Sequence, residues 1–579
     1  MSYINPIFHT DSYKLSHKKM TSSGVETIYS NYTPRFDDYM RARYKTFDGG
    51  IVWFGMQYAL RKILVEIWQD NFFNKPKDEV IAQAKRFLVP YIGMEDLSHF
   101  EDLHDLGYLP LEIKALPEGS VITKGIPCFT ITNTHKDYQW LPNYLESILS
   151  TEIWKPMTSA TIGRTFRKLV NKFAMETEGN LDNTDYQIHD FSLRGQSGVE
   201  SAASVGGGFL LNTKGTDNVP ALAFVDHYYD SIDVAHSVPA SEHSVVTLGI
   251  QLHANRLKNI ASLRYEDPTE ADYLHYGEVE FVKEVLKKFD TGIVSYVADS
   301  YDYFSFLDRV LPAVKNEVMA RDGKFVVRGD SGDPVEIIAG IKITDFTSVG
   351  GFNLAATDAV YAGIDLDNIH EGQNFTVYKF NDTIYRVESY VTTDEYGLLD
   401  SVDIVNVQPH TLTTQDKGTI ERLWEIFGGT VNELGYKVLD SHIGMIYGDG
   451  ITEQRATEIL TRLKDKGFAS TNIVFGIGSY TLNMTSRDDL GTAIKATSAV
   501  VNGERVAIYK DPKTDTSKKS ARGLLCVTYN MFSGYELSDN ITVASANTGL
   551  LQTVWKDGKF VQTVTFDDII KTMHNEYNF

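Results

Sequence analysis

Four short apolar runs in this chain stop on residues able to do chemistry. Ile293-Val-Ser-Tyr-Val-Ala298 stops on Asp299, Phe325-Val-Val327 on Arg328-Gly-Asp330, Ile443-Gly-Met-Ile-Tyr447 on Gly448-Asp-Gly450, and Ile473-Val-Phe475 on Gly476-Ile-Gly-Ser479. Carboxylates so placed can hold ribose hydroxyls, orient Mg2+ or move protons, which makes Asp299, Asp330 and Asp449 candidates. Helix capping is the competing use of the same residue type. Backbone N–H groups around Gly448, Gly478 and Ser479 suit phosphate, although a plain turn has the same composition. Arg194, Arg328, Arg487 and Lys495 are cations that could complete an anion site, each by itself an ordinary surface charge. His243, in Pro239-Ala-Ser-Glu-His-Ser244, reads by residue type alone as structural rather than catalytic. No His-Glu-x-x-His pattern occurs.

Positioning these residues requires parallel strands delivering their C-terminal ends to one face. Four successive strand-then-polar junctions favour a β/α barrel over a doubly wound sheet, because barrels build their active face from strand tops. Upstream, the spacing predicts a helix over 54–68, antiparallel strands over 109–134 around a Pro-Glu-Gly turn, and an amphipathic helix over 161–178. Between Gly340 and Thr419 no clean strand–helix unit is visible. Residues 375–380 and 383–387 read there as a hairpin turning on Asn381-Asp382. Residues 346–418 hold eleven Asp/Glu against three Lys/Arg, an acidic, partly β insertion.

At roughly 150 residues per domain, 579 residues accommodate about two to four domains. The net charge of −22 argues against broad nucleic-acid or anionic-membrane binding. Cys128 and Cys526 are the only cysteines, too few for a disulfide framework or a Cys-rich zinc site. With no signal-peptide pattern at the start and no apolar run of membrane-spanning length, the expectation is a cytoplasmic protein.

Longer strings carry a resemblance. Thr10-Asp-Ser-Tyr-Lys14, Trp53-Phe-Gly-Met-Gln-Tyr58, Glu112-Ile-Lys-Ala-Leu-Pro-Glu-Gly119, Gly179-Asn-Leu-Asp182 and His189-Asp-Phe-Ser-Leu-Arg-Gly195 come first. Lys214-Gly-Thr-Asp217, Ser237-Val-Pro-Ala-Ser-Glu-His-Ser244, Asp299-Ser-Tyr-Asp302 and Tyr509-Lys-Asp-Pro512 follow. In that order they resemble the nicotinamide phosphoribosyltransferase family across nearly the whole chain, the insertion excepted. The resemblance implies an α/β fold: an irregular β/α barrel over 160–489, interrupted at about 341–418, and a mixed α+β domain formed from 1–159 and 490–579. It further implies a homodimer with shared active sites, with nicotinamide and phosphoribosyl pyrophosphate as substrates, Mg2+ as cofactor, and ATP as co-substrate for phosphorylation of His243.

By the same resemblance the nicotinamide ring lies between Phe191 and the partner's Tyr13. Asp217 accepts from the carboxamide, and Arg194 serves the base pocket and the phosphate side. Arg328 and Asp330 lie at the ribose, and Asp299 organises the ribose and His243. Gly448, Asp449, Gly478 and Ser479 lie near the 5′-phosphate, while Arg35, Arg487 and Lys495 reach it across the dimer. No residue is assigned as a protein-held metal ligand. The chain departs from the family in two places. Gly478-Ser479-Tyr480 replaces three glycines, where φ > 0 would be costly, and Arg328-Gly329-Asp330 replaces Arg-Pro-Asp. Two rival readings are nicotinate phosphoribosyltransferase, which Asp217 disfavours by repelling a carboxylate, and a non-catalytic binding protein on the same fold.

Overall fold

The computed structural model describes residues 5–264, 268–348, 350–364, 369–510 and 520–576. Asp511 and Pro512, half of the Tyr509-Lys-Asp-Pro512 string, lie outside them. The chain forms two compact units, one from residues 1–170, 188–237 and 477–579, the other from 171–187 and 238–476.

The first unit is built on an antiparallel sheet drawn from both chain ends. Its order is Glu504–Ala507, Ala493–Val501, Val25–Thr33, Phe129–Asn133, Leu111–Ala115, Gln552–Lys556 and Lys559–Phe560. Leu111, Ile113 and Ala115 alternate inward, the period-two pattern visible at 109–134. Helix α1 (Met56–Leu60) runs on as a wide-turn helix over Arg61–Phe73. Its N-terminus is held from a distant turn. Glu118, fully buried, accepts from the backbone N–H of Gly55 (2.6 Å), Met56 (2.9 Å) and Gln57 (2.9 Å), and from Tyr229 Oη (3.1 Å). A carboxylate thus satisfies orphan amides and opposes the positive end of the helix.

The helix expected over 161–178 instead spans Glu146–Thr177 (α2). Pro156 lies inside it and reads in sequence as a stop. Leu149, Ile153, Met157 and Ala160 form one fully buried helical stripe through it, and that burial outweighs the lost backbone bond. The unit also holds strand β1 (Ile188–Asp190), helix α3 (Val199–Phe209), strand β2 (Gly215–Thr216), parallel to β1, and helix α4 (Val219–Tyr229).

The second unit carries the parallel strands as a half-barrel sheet, giving the α/β class the sequence implied. After helix α5 (His243–Arg264) come β3 (Thr291–Val297) and β4 (Asp322–Gly329), followed beyond the insertion by β8 (Ile443–Tyr447) and β9 (Ile473–Ile477). Their spatial order is β9-β8-β4-β3. Tyr447 pairs with Gly329, and Val297 with Arg328, so the polar ends come out level.

The insertion differs from its sequence reading. The expected hairpin is present as β5 (Gly372–Phe380) and β6 (Thr383–Thr393), turning on Asn381 (φ 49°) and Asp382 (φ 63°). It also contains helix α6 (Phe352–Gly363) and a third strand, β7 (Leu399–Pro409). Ala355, Ala356, Ala359 and Val360 of α6 pack with Tyr378 and Val387, giving the insertion its own core. Its chain leaves and returns at one neck. A side chain on Gly418 would meet Gly340 N at 2.2 Å, and both glycines have positive φ (80° and 72°).

Candidate active site

At the top of β3, Asp299 is the hub of the second unit's polar cluster. Its Oδ1 bonds His243 Nε2 at 3.0 Å, and its Oδ2 accepts from Ser331 Oγ (2.5 Å) and the Asp330 backbone N–H (3.1 Å). The Asp299 side chain is 5 % exposed and that of His243 48 % exposed, so a buried acceptor orients an accessible imidazole. Burial works to raise the Asp299 carboxyl. The bonds from Ser331, His243 and the Asp330 amide outweigh it and hold the group below the ordinary carboxylate range.

From the top of β4, Arg328 Nε and Nη2 form a fork on Asp330, at 3.2 and 2.5 Å. Gly329 between them fits because a Cβ there would meet the rings of Tyr447 (3.3 Å) and Tyr303 (3.4 Å). Two tyrosine rings therefore stand close beside Gly329. Burial, then the charges of Asp449, Asp299, Asp330 and Asp333, push the Tyr447 phenol up, so it remains a donor, to Gly332 O at 3.1 Å. After β8, Gly448 is half-buried and Asp449 exposed, and the turn closes on Gly450 (φ 62°).

The first unit holds the other named residues in two sets. In one, Asp217, following β2, accepts from His189 Nε2 (2.9 Å) and Ser237 Oγ (2.5 Å). His189 also meets the Phe191 ring edge-on, with centroids 5.1 Å apart. Arg194 is exposed on the short helix Leu193–Gly195. Ser479 lies against Gly195, where an added Cβ would fall 2.0 Å from Ser479 Oγ. Beneath this set Asp190 is wholly buried, accepting from the Ser192 amide (2.8 Å) and Asn218 Nδ2 (3.0 Å); burial raises its carboxyl against those bonds.

In the other set, Tyr13 is 58 % exposed, and Lys14 and Lys495 (3.0 Å) both bind Glu146. Arg35 donates Nε to Gly491 O (2.8 Å), and burial and then the nearby Arg487 charge hold its pKa down. Arg487 is exposed on the short helix Arg487–Asp489.

One expected cost is absent. Gly478 has φ −86°, and neither Ser479 nor Tyr480 is left-handed, so side chains at those two positions cause no backbone strain. Ser331, Ser237, His189 and Asp190 are site residues that residue-level reading passed over. His189 and Asp190 lie in β1 just before Phe191, and that position was the available signal; Ser237 and Ser331 had none. Among the described residues there is no group of three or more His, Cys, Asp or Glu arranged to hold a metal ion. Nor, among them, is any helix long and apolar enough to cross a membrane.

Level parallel strand tops carrying a forked Arg–Asp pair, a carboxylate–imidazole pair and glycine turns define an α/β enzyme. A sequence model of the nicotinate phosphoribosyltransferase (NAPRTase) family matches residues 186–381 and 398–560. A nicotinamide phosphoribosyltransferase of Acinetobacter baylyi is 36 % identical over 576 residues, covering 98 % of this chain and 96 % of its own. One of Mycoplasma pneumoniae is 29 % identical over 538 residues, covering 90 % and 95 %. The crystal structure of human nicotinic acid phosphoribosyltransferase aligns over 98 % of this chain and 93 % of its own, at 13 % identity and a TM-score of 0.48. The chain belongs to the nicotinate phosphoribosyltransferase family of pentosyltransferases.

Proposed function

We propose that the chain transfers the phosphoribosyl group of phosphoribosyl pyrophosphate to nicotinamide, giving nicotinamide mononucleotide and pyrophosphate. The observation that carries this is Asp217, an acceptor oriented by His189 and Ser237 next to the Phe191 ring. A carboxamide donates to a carboxylate; nicotinate has no donor to offer and meets like charge. The names of the two relatives support the same base.

The pyridine nitrogen attacks the anomeric carbon as the bond to pyrophosphate breaks, so positive charge builds on the ribose and negative charge on the leaving group. Asp330 and Asp299 supply negative charge on the ribose side, and Arg328, held by Asp330, is oriented for anionic oxygens. A Mg2+ ion arriving with the diphosphate would be held by the strand-top carboxylates Asp330 and Asp449. When bound it would neutralise the leaving charge.

Tyr13, Arg35 and Lys495 gather around Glu146, with Arg487 beside Arg35. This fits a homodimer in which that set completes a partner's site. His243 takes the γ-phosphoryl of ATP with release of ADP, and water later cleaves the phosphohistidine. With Nε2 engaged by Asp299, Nδ1 is the nitrogen left to bond phosphorus.

The test is incubation with phosphoribosyl pyrophosphate, Mg2+ and either base, with and without ATP. Product from nicotinamide, increased by ATP in wild type but not in His243→Ala, is expected. Product from nicotinate alone overturns the assignment of the base. ATP stimulation that survives in His243→Ala removes the phosphohistidine.

A further inference from the structure

Phe191 and Asp217, read above as the base pocket, each lie one residue past the last pair of the β1–β2 ladder, Asp190 with Thr216. Pairing between these two strands therefore ends just before both residues. Each is instead the middle of a tight turn closed by the side chain before it. Asp190 Oδ1 accepts from the Ser192 N–H (2.8 Å) across Phe191, and Thr216 Oγ1 accepts from the Asn218 N–H (3.0 Å) across Asp217. A bond from a side chain to the amide two residues on fixes the direction in which the middle side chain leaves. Phe191 keeps one further backbone bond, from its N–H to Ile477 O (3.0 Å).

A buried bridge joins the two turns. Asn218 Nδ2 donates to Asp190 Oδ2 (3.0 Å), and the Asp217 N–H donates to the Asp190 carbonyl (3.0 Å). Asn218 Nδ2 also donates to the Ala202 carbonyl of α3 (2.8 Å), so both of its hydrogens are committed and the amide has one orientation. Asp190 and Asn218 are fully buried, so they act on a bound base only through their neighbours. Helix α3 leaves room for them at Gly206, where a Cβ would fall 2.5 Å from Asn218 Nδ2 and 3.0 Å from Asp190 Oδ2. Two buried polar side chains and a glycine thus serve the spacing of Phe191 and Asp217.

We propose that the Asp190–Asn218 bridge is a positioning device that sets the preference for an amide base, by fixing the Asp217 carboxylate relative to the Phe191 ring. The inference rests on the base assigned under the proposed function. A pyridine ring stacked on Phe191 brings its carboxamide to one place, and the Asp217 carboxylate must stand there to accept the N–H. Displacing Asp217 weakens its bond to nicotinamide and its repulsion of nicotinate together. The contacts assigned to phosphoribosyl pyrophosphate, at Arg328, Asp330 and the glycine turns, do not pass through the bridge.

Steady-state kinetics on the full chain with both bases test this. Asn218→Ala is expected to raise KM for nicotinamide about tenfold, to leave KM for phosphoribosyl pyrophosphate within about twofold, and to lower the nicotinamide-to-nicotinate ratio of kcat/KM at least about tenfold. Asn218→Ser keeps one donor for Asp190 and disturbs the fold less, and it should raise KM for nicotinamide about threefold. Melting curves report the fold of each variant separately. A fall in kcat with both KM values and the base ratio unchanged marks a role in the scaffold alone and overturns the proposal, as do equal rises in both KM values. Wild-type enzyme that uses nicotinate alone overturns the base assignment and the bridge's role with it, whereas selectivity for nicotinamide that persists in both variants overturns the bridge alone.

Discussion

Aspartates serve opposite purposes on the strand tops and in the insertion. Asp299 is almost fully buried and receives three donors. Asp382, at the insertion's hairpin turn, is 97 % exposed and meets only the Lys379 ammonium, at 3.3 Å, among the described contacts. The insertion's excess of eleven acidic residues over three basic ones supplies about a third of the net charge of −22. On the strand tops, Asp299 and Asp330 are each committed to partners, while Asp449 stays exposed. Net charge thus describes the appendage, and hydrogen bonding describes the site.

The sharpest challenge to this contrast is a pair of substitutions. Asp330→Ala should lower kcat/KM by at least ~10³, about 4 kcal/mol, whereas Asp382→Ala should change it less than about twofold. Similar losses from both in steady-state kinetics would erase the distinction. The next effect concerns buried carboxylates with few donors. Glu278 is 7 % exposed, and burial raises its pKa to about 8, with only a long bond from Tyr296 Oη (3.4 Å) in relief.

An acid whose folded pKa is raised holds in the folded state a proton that the unfolded chain releases. Its contribution is intact below the unfolded value near 4.5 and is lost as pH rises to about 8. Glu278→Gln should therefore raise thermal stability by a few kcal/mol (order of magnitude) at pH 9 and by almost nothing at pH 4. Melting curves at the two pH values decide it, and a gain independent of pH would contradict the assignment. Glu118 is raised by burial as well, but three amides and a phenol bond it. Glu118→Ala should cost roughly 2–3 kcal/mol in denaturant unfolding, because it orphans three N–H groups. A loss below ~0.5 kcal/mol would show that water replaces the carboxylate.

The smallest effect expected is from removing the insertion. Joining residue 340 to 418 through a short linker should leave kcat and KM within about twofold. A larger change in either would give the insertion a part in catalysis.

The strand tops were legible because each apolar run ends abruptly on Asp, Arg or Gly, a pattern that survives in one dimension. The hairpin was legible for the same reason, with Asn381-Asp382 between two alternating runs. Helix α6 was not. Its buried stripe is mostly alanine, and Asn353, Thr357 and Asp358 lack helix propensity, so only packing against Tyr378 and Val387 fixes it. The start of α2 was hidden by Pro156, whose cost is overcome by a stripe that runs through it. Ser237 and Ser331 matter only through Asp217 and Asp299, partners 20 and 32 positions away, and no local pattern announces such bonds. The strings Trp53-Phe-Gly-Met-Gln-Tyr58 and Glu112-Ile-Lys-Ala-Leu-Pro-Glu-Gly119 were separate in the sequence; the Glu118 carboxylate ties them together.

The glycine neck at 340 and 418 has a use of its own. Two left-handed residues in backbone contact make that point a socket, where the barrel strands are joined whether the intervening chain is long or short. Any folded body whose termini lie a few ångströms apart can be plugged in there. A fluorescent protein or a ligand-sensing domain spliced at the socket would ride on the enzyme, with its reading frame unbroken and the order of the strands unchanged.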